Sequence, residues 1–225
     1  MLYGILKPVA VALMRAWFGL RVRGAEHVPA SGPALIVSNH QSILDPPVIG
    51  GAARRQIYFL AKAELFRIPV FGWLIRALHA RPVRREGSDP RALRTATQLL
   101  EEGKALLIFP EGTRSLNGRL GEGKPGVGML AVTSGAPVVP AYVSGTLEAL
   151  PKGSSWPRRS QVSVSFGPAL HFKARQGAGR KEQYREAAAD MMRGIAQLQE
   201  AEENTHFAPH EERGEVRGPC PGPRR

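Results

Sequence analysis

Five short runs of the chain are apolar almost without interruption: ALIVS (34–38), IYFL (57–60), ALLIF (105–109), PVVPAYV (137–143) and VSVSF (162–166). Such runs predict strands. Their lack of polar alternation predicts strands covered on both faces. Between them, 46–53, 69–78, 89–102 and 125–134 carry helical patterns, and 181–199 predicts a last helix. The third of these starts at Ser88-Asp89-Pro90, a cap residue with an early proline, and stops at Gly103. Strands alternating with helices predict an α/β domain, a mixed sheet flanked by helices. No repeat of solenoid period is present.

Residues 1–24 behave differently. On a helix, Leu2, Leu6, Val9, Leu13, Trp17 and Leu20 fall on one side, with Lys7 and Arg15 opposite and Met14 and Phe18 nearer the basic side. A wide apolar face followed by Arg21 and Arg23 predicts an amphipathic helix at a membrane interface, a core helix being the plainer alternative. The segment lacks the cleavage pattern of a signal peptide. Residues 125–147 carry no charge, but Gly126, Gly128, Gly135, Pro137 and Pro140 break the run, so it does not predict a span. From residue 200 the composition turns polar, and 200–225 is expected to be a disordered tail. This leaves 25–199 as the main domain.

Charge narrows the function classes. The chain of 225 residues holds 31 Lys+Arg against 19 Asp+Glu, a net +12. The tail holds six acidic and four basic residues, so residues 1–199 carry 27 minus 13, or +14. An anionic partner is expected: a membrane surface, a phosphorylated substrate or a nucleic acid. No reading helix, zinc finger or RNA-binding aromatic signature supports the last. The single cysteine, Cys220, excludes a disulfide scaffold, and no Cys/His spacing suits zinc.

Two strand ends carry candidate chemistry. The run 34–38 leads into Asn39-His40-Gln41-Ser42-Ile43-Leu44-Asp45. A histidine there can serve as a general base, and a carboxylate five residues on can fold back to orient its ring. Ser42 lacks a nucleophile-elbow context. A capped helix start beside a structural histidine would give the same letters. The run 105–109 leads into Pro110-Glu111-Gly112-Thr113-Arg114-Ser115. Here Gly112 permits close backbone approach, Arg114 offers a fork for phosphate, and Thr113 can add a hydroxyl. A turn with a surface Glu–Arg pair is the plain alternative.

Together these stretches resemble the Asn-His-x4-Asp and FPEGTRS motifs of the glycerolipid acyltransferases, among them the bacterial 1-acyl-glycerol-3-phosphate acyltransferases. The segment AKAELFRIPVFGWLIRAL (61–78) and the block Ala136-Pro137-Val138-Val139-Pro140 are similar to further parts of that family. The resemblance runs over about 25–170. It departs at His79-Ala80-Arg81-Pro82-Val83-Arg84-Arg85, where the family has Gly-x-x-aromatic-aliphatic-Asp-Arg and this chain keeps Val83 and Arg85. Six arginines fall between 76 and 94. With the aromatics of 65–78 they suit a headgroup-facing surface.

The resemblance implies transfer of an acyl chain from acyl-CoA or acyl carrier protein to the free hydroxyl of lysophosphatidic acid, with no cofactor. His40 would be the base and Asp45 its orienter. Arg114, Arg85 and Lys124 would hold the phosphate in a pocket shaped by Glu111, Gly112 and Thr113. Asn39 would help shape the site or bind the oxyanion, and Pro140 would line the acyl pocket. An anionic membrane surface, at the cytoplasmic face, would be the third partner. Glycerol-3-phosphate or another lysolipid is the competing acceptor, and a non-catalytic membrane-binding module is the competing class.

Overall fold

The computed structural model describes residues 2–69, 71–83, 90–154, 156–175, 177 and 179–207. Helix α1 (Leu2–Phe18) is followed by β1 (Arg21–Arg23), β2 (Ala34–Ser38), α2 (Asp45–Ala52), β3 (Ile57–Lys62), α3 (Phe71–Ala77), β4 (Ala80–Val83), α4 (Pro90–Glu101) and β5 (Ala105–Ile108). The chain continues through α5 (Pro125–Ser134), β6 (Val138–Ser144), α6 (Thr146–Ala149), β7 (Ser163–Phe166) and α7 (Arg180–Phe207). The seven strands form one sheet in the order β1-β7-β6-β2-β5-β3-β4. All pairs are parallel except β6 with β7, so the expected mixed α/β sheet is what forms.

The apolar runs become strands because both faces are covered. Ile36, Leu107, Val139 and Ala141 face one core, shared with Val48 and Ile49 of α2. Leu35, Val37, Leu106 and Val138 face the other, under Leu99, Leu130 and Met191 of α4, α5 and α7. Two strands escape the sequence pattern, β1 and β4. Both lie at sheet edges, where one neighbour suffices and charged residues are tolerated. Pro82 fits there because an edge strand has an unpaired side. The Ser88-Asp89 cap lies outside the described residues, and α4 begins at Pro90.

Helix α1 turns its Lys7 side inward. Lys7 Nζ donates to Ala53 O at 2.6 Å and Arg55 O at 3.1 Å, beyond the end of α2, and burial pushes its pKa down. Phe18 is buried and Met14 packs on the same core. Of the opposite stripe, Val9, Leu13 and Trp17 are exposed by 53%, 66% and 49%, while Leu20 is buried in the core. No helix among the described residues is long and apolar enough to cross a membrane. The 65–78 segment divides: Phe66 and Ile75 join the core, while Ile68 and Trp73 are exposed.

At the other end α7 extends beyond the expected 199 to Phe207. Glu202 holds this extension: it is buried and accepts from Arg23 at 3.3 Å and from Ser165 at 3.4 Å. Residues 208–225, including Cys220, lie outside the described residues.

The α5–α7 contact is close enough to require glycine. A Cβ at Gly128 would stand 1.9 Å from the Tyr184 carbonyl oxygen, whereas one at Gly126 would meet nothing within 4 Å. Gly128→Ala is therefore expected to destabilise by roughly 1–3 kcal/mol or more, through forced separation of the helices. Gly126→Ala should be neutral or stabilise by up to about 1 kcal/mol, through helix propensity. Urea denaturation of the two variants checks both signs.

Candidate active site

The site forms where three adjacent parallel strands end. β2 lies between β5 and β6, with Val37 opposite Ile108 and Ser38 opposite Ala141. The segments leaving these strands are the His40 loop, the Glu111 loop and the turn into α6. They meet at one edge, the usual place for a site in such a sheet.

The backbone N–H of Asp45 donates to Ser42 O at 3.3 Å, turning the chain so that Asp45 folds back on the histidine. Pro46 and Pro47 follow in the first turn of α2, where their missing N–H groups are not needed. Asp45 is fully buried. Its Oδ2 accepts from His40 Nδ1 at 2.8 Å and from the backbone N–H groups of Gln41 at 2.6 Å and Ser42 at 2.8 Å. Its Oδ1 accepts from Thr146 Oγ1 at 2.6 Å. A carboxylate taking this many donors keeps the proton on His40 Nδ1 and leaves Nε2 as the basic nitrogen. The His40 ring stacks on Phe109, with centroids 3.9 Å apart.

Asn39 serves as a strut. Its Nδ2 donates to Val143 O at 2.9 Å and its Oδ1 accepts from Val143 N at 2.8 Å, so both ends of the amide bind β6. That geometry supports site shaping and gives no support to the oxyanion role. Ser42 Oγ donates to Leu150 O at 2.8 Å, which occupies the hydroxyl structurally. Glu111 is also a clamp. Oε1 accepts from His40 N at 3.2 Å and Oε2 from Gly121 N at 3.2 Å. Burial raises its pKa, partly offset by those two N–H groups. Ser115 N adds a bond of 2.7 Å to His40 O, tying the two motif loops directly.

Gly112 has φ +70°, and a Cβ there would lie 2.7 Å from Lys124 Nζ. Its turn thus brings the Lys124 ammonium against the FPEGTRS loop. Thr113 is exposed beside them. Arg114 and His40 share the wall of a cavity of about 470 Å3 whose remaining lining is largely apolar, including Ile43, Leu44, Phe59, Leu65, Ile75 and Leu78. An imidazole, a guanidinium and a largely apolar cavity therefore meet in one place.

Two expected site residues are not among those gathered here. Arg85 and Arg84 lie outside the described residues. Pro140 is buried, but its ring packs on Gly167 and Gly194 of the α7 side and does not line this cavity. The reason is the two-residue period of a strand: Val139 and Ala141 face the cavity-side core, and Pro140 faces away. His79 takes φ +65°, the left-handed region, which explains why glycine suits this position. Burial and the Arg81 charge lower its pKa, so it adds no cation at neutral pH.

Thr146 was not legible from sequence, because its partner stands 101 positions earlier. Thr146→Val leaves a buried carboxylate oxygen without its donor. It should cost about 1–3 kcal/mol, while Thr146→Ser should recover most of the loss. Chemical denaturation of both variants provides the comparison.

Residues 19–144 match the family described as Acyltransferase. The chain is 37% identical over 143 residues to the chloroplast 1-acyl-sn-glycerol-3-phosphate acyltransferase LPAT1 of Arabidopsis thaliana, covering 61% of this chain and 39% of that one. It thus spans about two fifths of that relative's length. The 1-acyl-sn-glycerol-3-phosphate acyltransferase of Pseudomonas aeruginosa is 33% identical over 175 residues, covering 72% of this chain and 64% of the relative. The crystal structure of the 1-acyl-sn-glycerophosphate (LPA) acyltransferase PlsC from Thermotoga maritima aligns with a TM-score of 0.71 at 30% identity, covering 88% of this chain and 79% of that one. The family match takes in more than half of the chain and both motif loops that build the site. This protein belongs to the acyltransferase family.

Proposed function

We propose that the chain moves a fatty acyl group from a thioester donor to the free sn-2 hydroxyl of lysophosphatidic acid, giving phosphatidic acid. The observation that carries this reading is the shared wall of His40 and Arg114 in a cavity otherwise lined, Lys62 apart, by apolar side chains. A lipid phosphate needs a cation, its chain needs apolar walls, and its hydroxyl needs a base. The names of the Pseudomonas and Thermotoga relatives support the same acceptor.

The chemistry follows from the geometry. His40 Nε2 takes the acceptor hydroxyl proton as the oxygen attacks the thioester carbonyl. Asp45 holds the ring and stabilises the imidazolium. Collapse of the tetrahedral intermediate expels the thiolate, which recovers the proton from His40. Arg114 and Lys124 hold the phosphate, with Arg85 as a further cation and Gly112 and Thr113 shaping the loop. Glu111 acts through the backbone of His40. Holding both substrates together supplies much of the acceleration. This route uses no cofactor, because the donor, acyl-CoA or acyl carrier protein, is itself a substrate.

The exposed stripe of α1 rests on an anionic bilayer, as a peripheral contact at the cytoplasmic face. A different acceptor, glycerol-3-phosphate or another lysolipid, is the second reading. It is favoured by the departures at His79, Pro82 and Arg84.

Wild type and His40→Ala, purified and offered labelled acyl-CoA with lysophosphatidic acid, glycerol-3-phosphate and a neutral lysolipid, test the proposal. Phosphatidic acid formation should fall by roughly 10²–10⁴-fold in the variant. Transfer to a different acceptor would keep the mechanism and change the substrate. No transfer from acyl-CoA or acyl carrier protein to any acceptor would overturn it in favour of a binding module. Arg114→Ala should raise the KM for lysophosphatidic acid by about 10–100-fold, and that for a neutral lysolipid far less.

A further inference from the structure

The stretch 150–162 joins the catalytic loop to the interfacial helix. At its start, Leu150 O accepts from Ser42 Oγ at 2.8 Å, within the His40–Asp45 loop. At its end, Val162 N donates to Phe18 O and Arg21 N to Val162 O, each at 3.0 Å, while Gln161 Nε2 donates to Gly19 O at 3.0 Å. Both ends are fixed, one beside the base and one at the end of α1.

Between them stands Trp156, 83% exposed and the most exposed large apolar side chain among the described residues. Lys152, Arg158 and Arg159, within four residues of it in the chain, are exposed as well. The Arg159 guanidinium lies 5.5 Å from the Trp17 ring centroid, which joins this loop to the Val9–Leu13–Trp17 stripe. The charge is of one sign: no Asp or Glu occurs before Glu26 or between Glu148 and Glu182. A bare indole among cations matches the headgroup layer of an anionic bilayer, where the ring is half apolar and the cations meet phosphates.

We propose that Trp156, with Lys152, Arg158 and Arg159, is a second lipid anchor that docks on the same anionic bilayer as α1 and holds the His40 loop at its surface. The inference rests on the membrane reading of α1 given above. Its consequence is positional. The acceptor lipid leaves the bilayer at the point where the anchor is tied, through Leu150 and Ser42, to the loop that carries the base. Each cation strengthens attachment to an anionic surface by about fivefold.

The chain holds three tryptophans, so each can be watched alone. Trp17→Phe with Trp73→Phe leaves Trp156. Trp73→Phe with Trp156→Phe leaves Trp17. Each variant is mixed with phosphatidylcholine vesicles with or without phosphatidylglycerol. Trp156 emission is expected to shift to the blue and to be quenched by bromine-labelled lipid when phosphatidylglycerol is present. A Trp17 that responds while Trp156 stays at its water-exposed emission would overturn the second anchor and keep the α1 contact. Silence from both would remove both.

Trp156→Ser with Arg158→Ser and Arg159→Ser is expected to lower partition onto phosphatidylglycerol vesicles by about tenfold or more, with turnover in neutral detergent micelles unchanged. An equal loss in micelles would assign the loop to support of the catalytic loop, against the proposal. Concentration-dependent self-association that the triple variant abolishes would assign the patch to a second copy of the chain, also against it.

Discussion

Four hydrogen-bond donors converge on the buried carboxylate of Asp45: one imidazole, two backbone N–H groups and one hydroxyl. A carboxylate taken out of water without such partners would cost several kcal/mol, so the loop folds around it or does not fold at all. Three donors come from the chain leaving β2 and the fourth from the chain leaving β6. The carboxylate therefore locks the ends of two neighbouring strands. Glu111 does the same from the β5 side, gripping the backbone of His40 while Asp45 grips its ring. The histidine is positioned by two acids of different employment, one oriented to its side chain and one to its main chain.

The parts of this arrangement that were legible in the sequence are the local ones. His40 and Asp45 lie five positions apart, and the loop 109–115 reads as a unit. The central strands were visible because burial on both faces leaves an unbroken apolar run. Long-range partners left no such trace. Nothing around Asn39 in the sequence shows that Val143, 104 positions away, binds both ends of its amide. Nothing around Glu111 in the sequence shows that Gly121 and His40 occupy its two oxygens. Pro140 sits in a strand whose alternation had no polar marker, so the face it would take could not be read. The edge strands Arg21–Arg23 and Ala80–Val83 are short, and their charged or proline residues read as linkers. The last turns of α7 are rich in acids that composition counts as solvated, yet Glu202 is buried against Arg23.

Helix α1 shows how an amphipathic pattern can be used in reverse. In a globular helix the charged side usually faces water. Here the Lys7 side faces the protein, because the carbonyl groups of Ala53 and Arg55 offer the ammonium two acceptors. The apolar stripe is then left outside. The helix can be attached firmly to the domain without spending the surface that suits a lipid.

The pairing of β1 has a consequence for the order in which the molecule can be assembled. Among the described residues β1 pairs with β7 alone, and the Arg23–Glu202 pair that reinforces it closes a separation of 179 positions. During synthesis the central strands β2, β3, β5 and β6 can pair in turn as they emerge. β1, made before them all, has to wait for nearly the whole domain. Closure of that edge is thus a late, high-contact-order step, and α1 remains tethered to an unfinished sheet until it occurs.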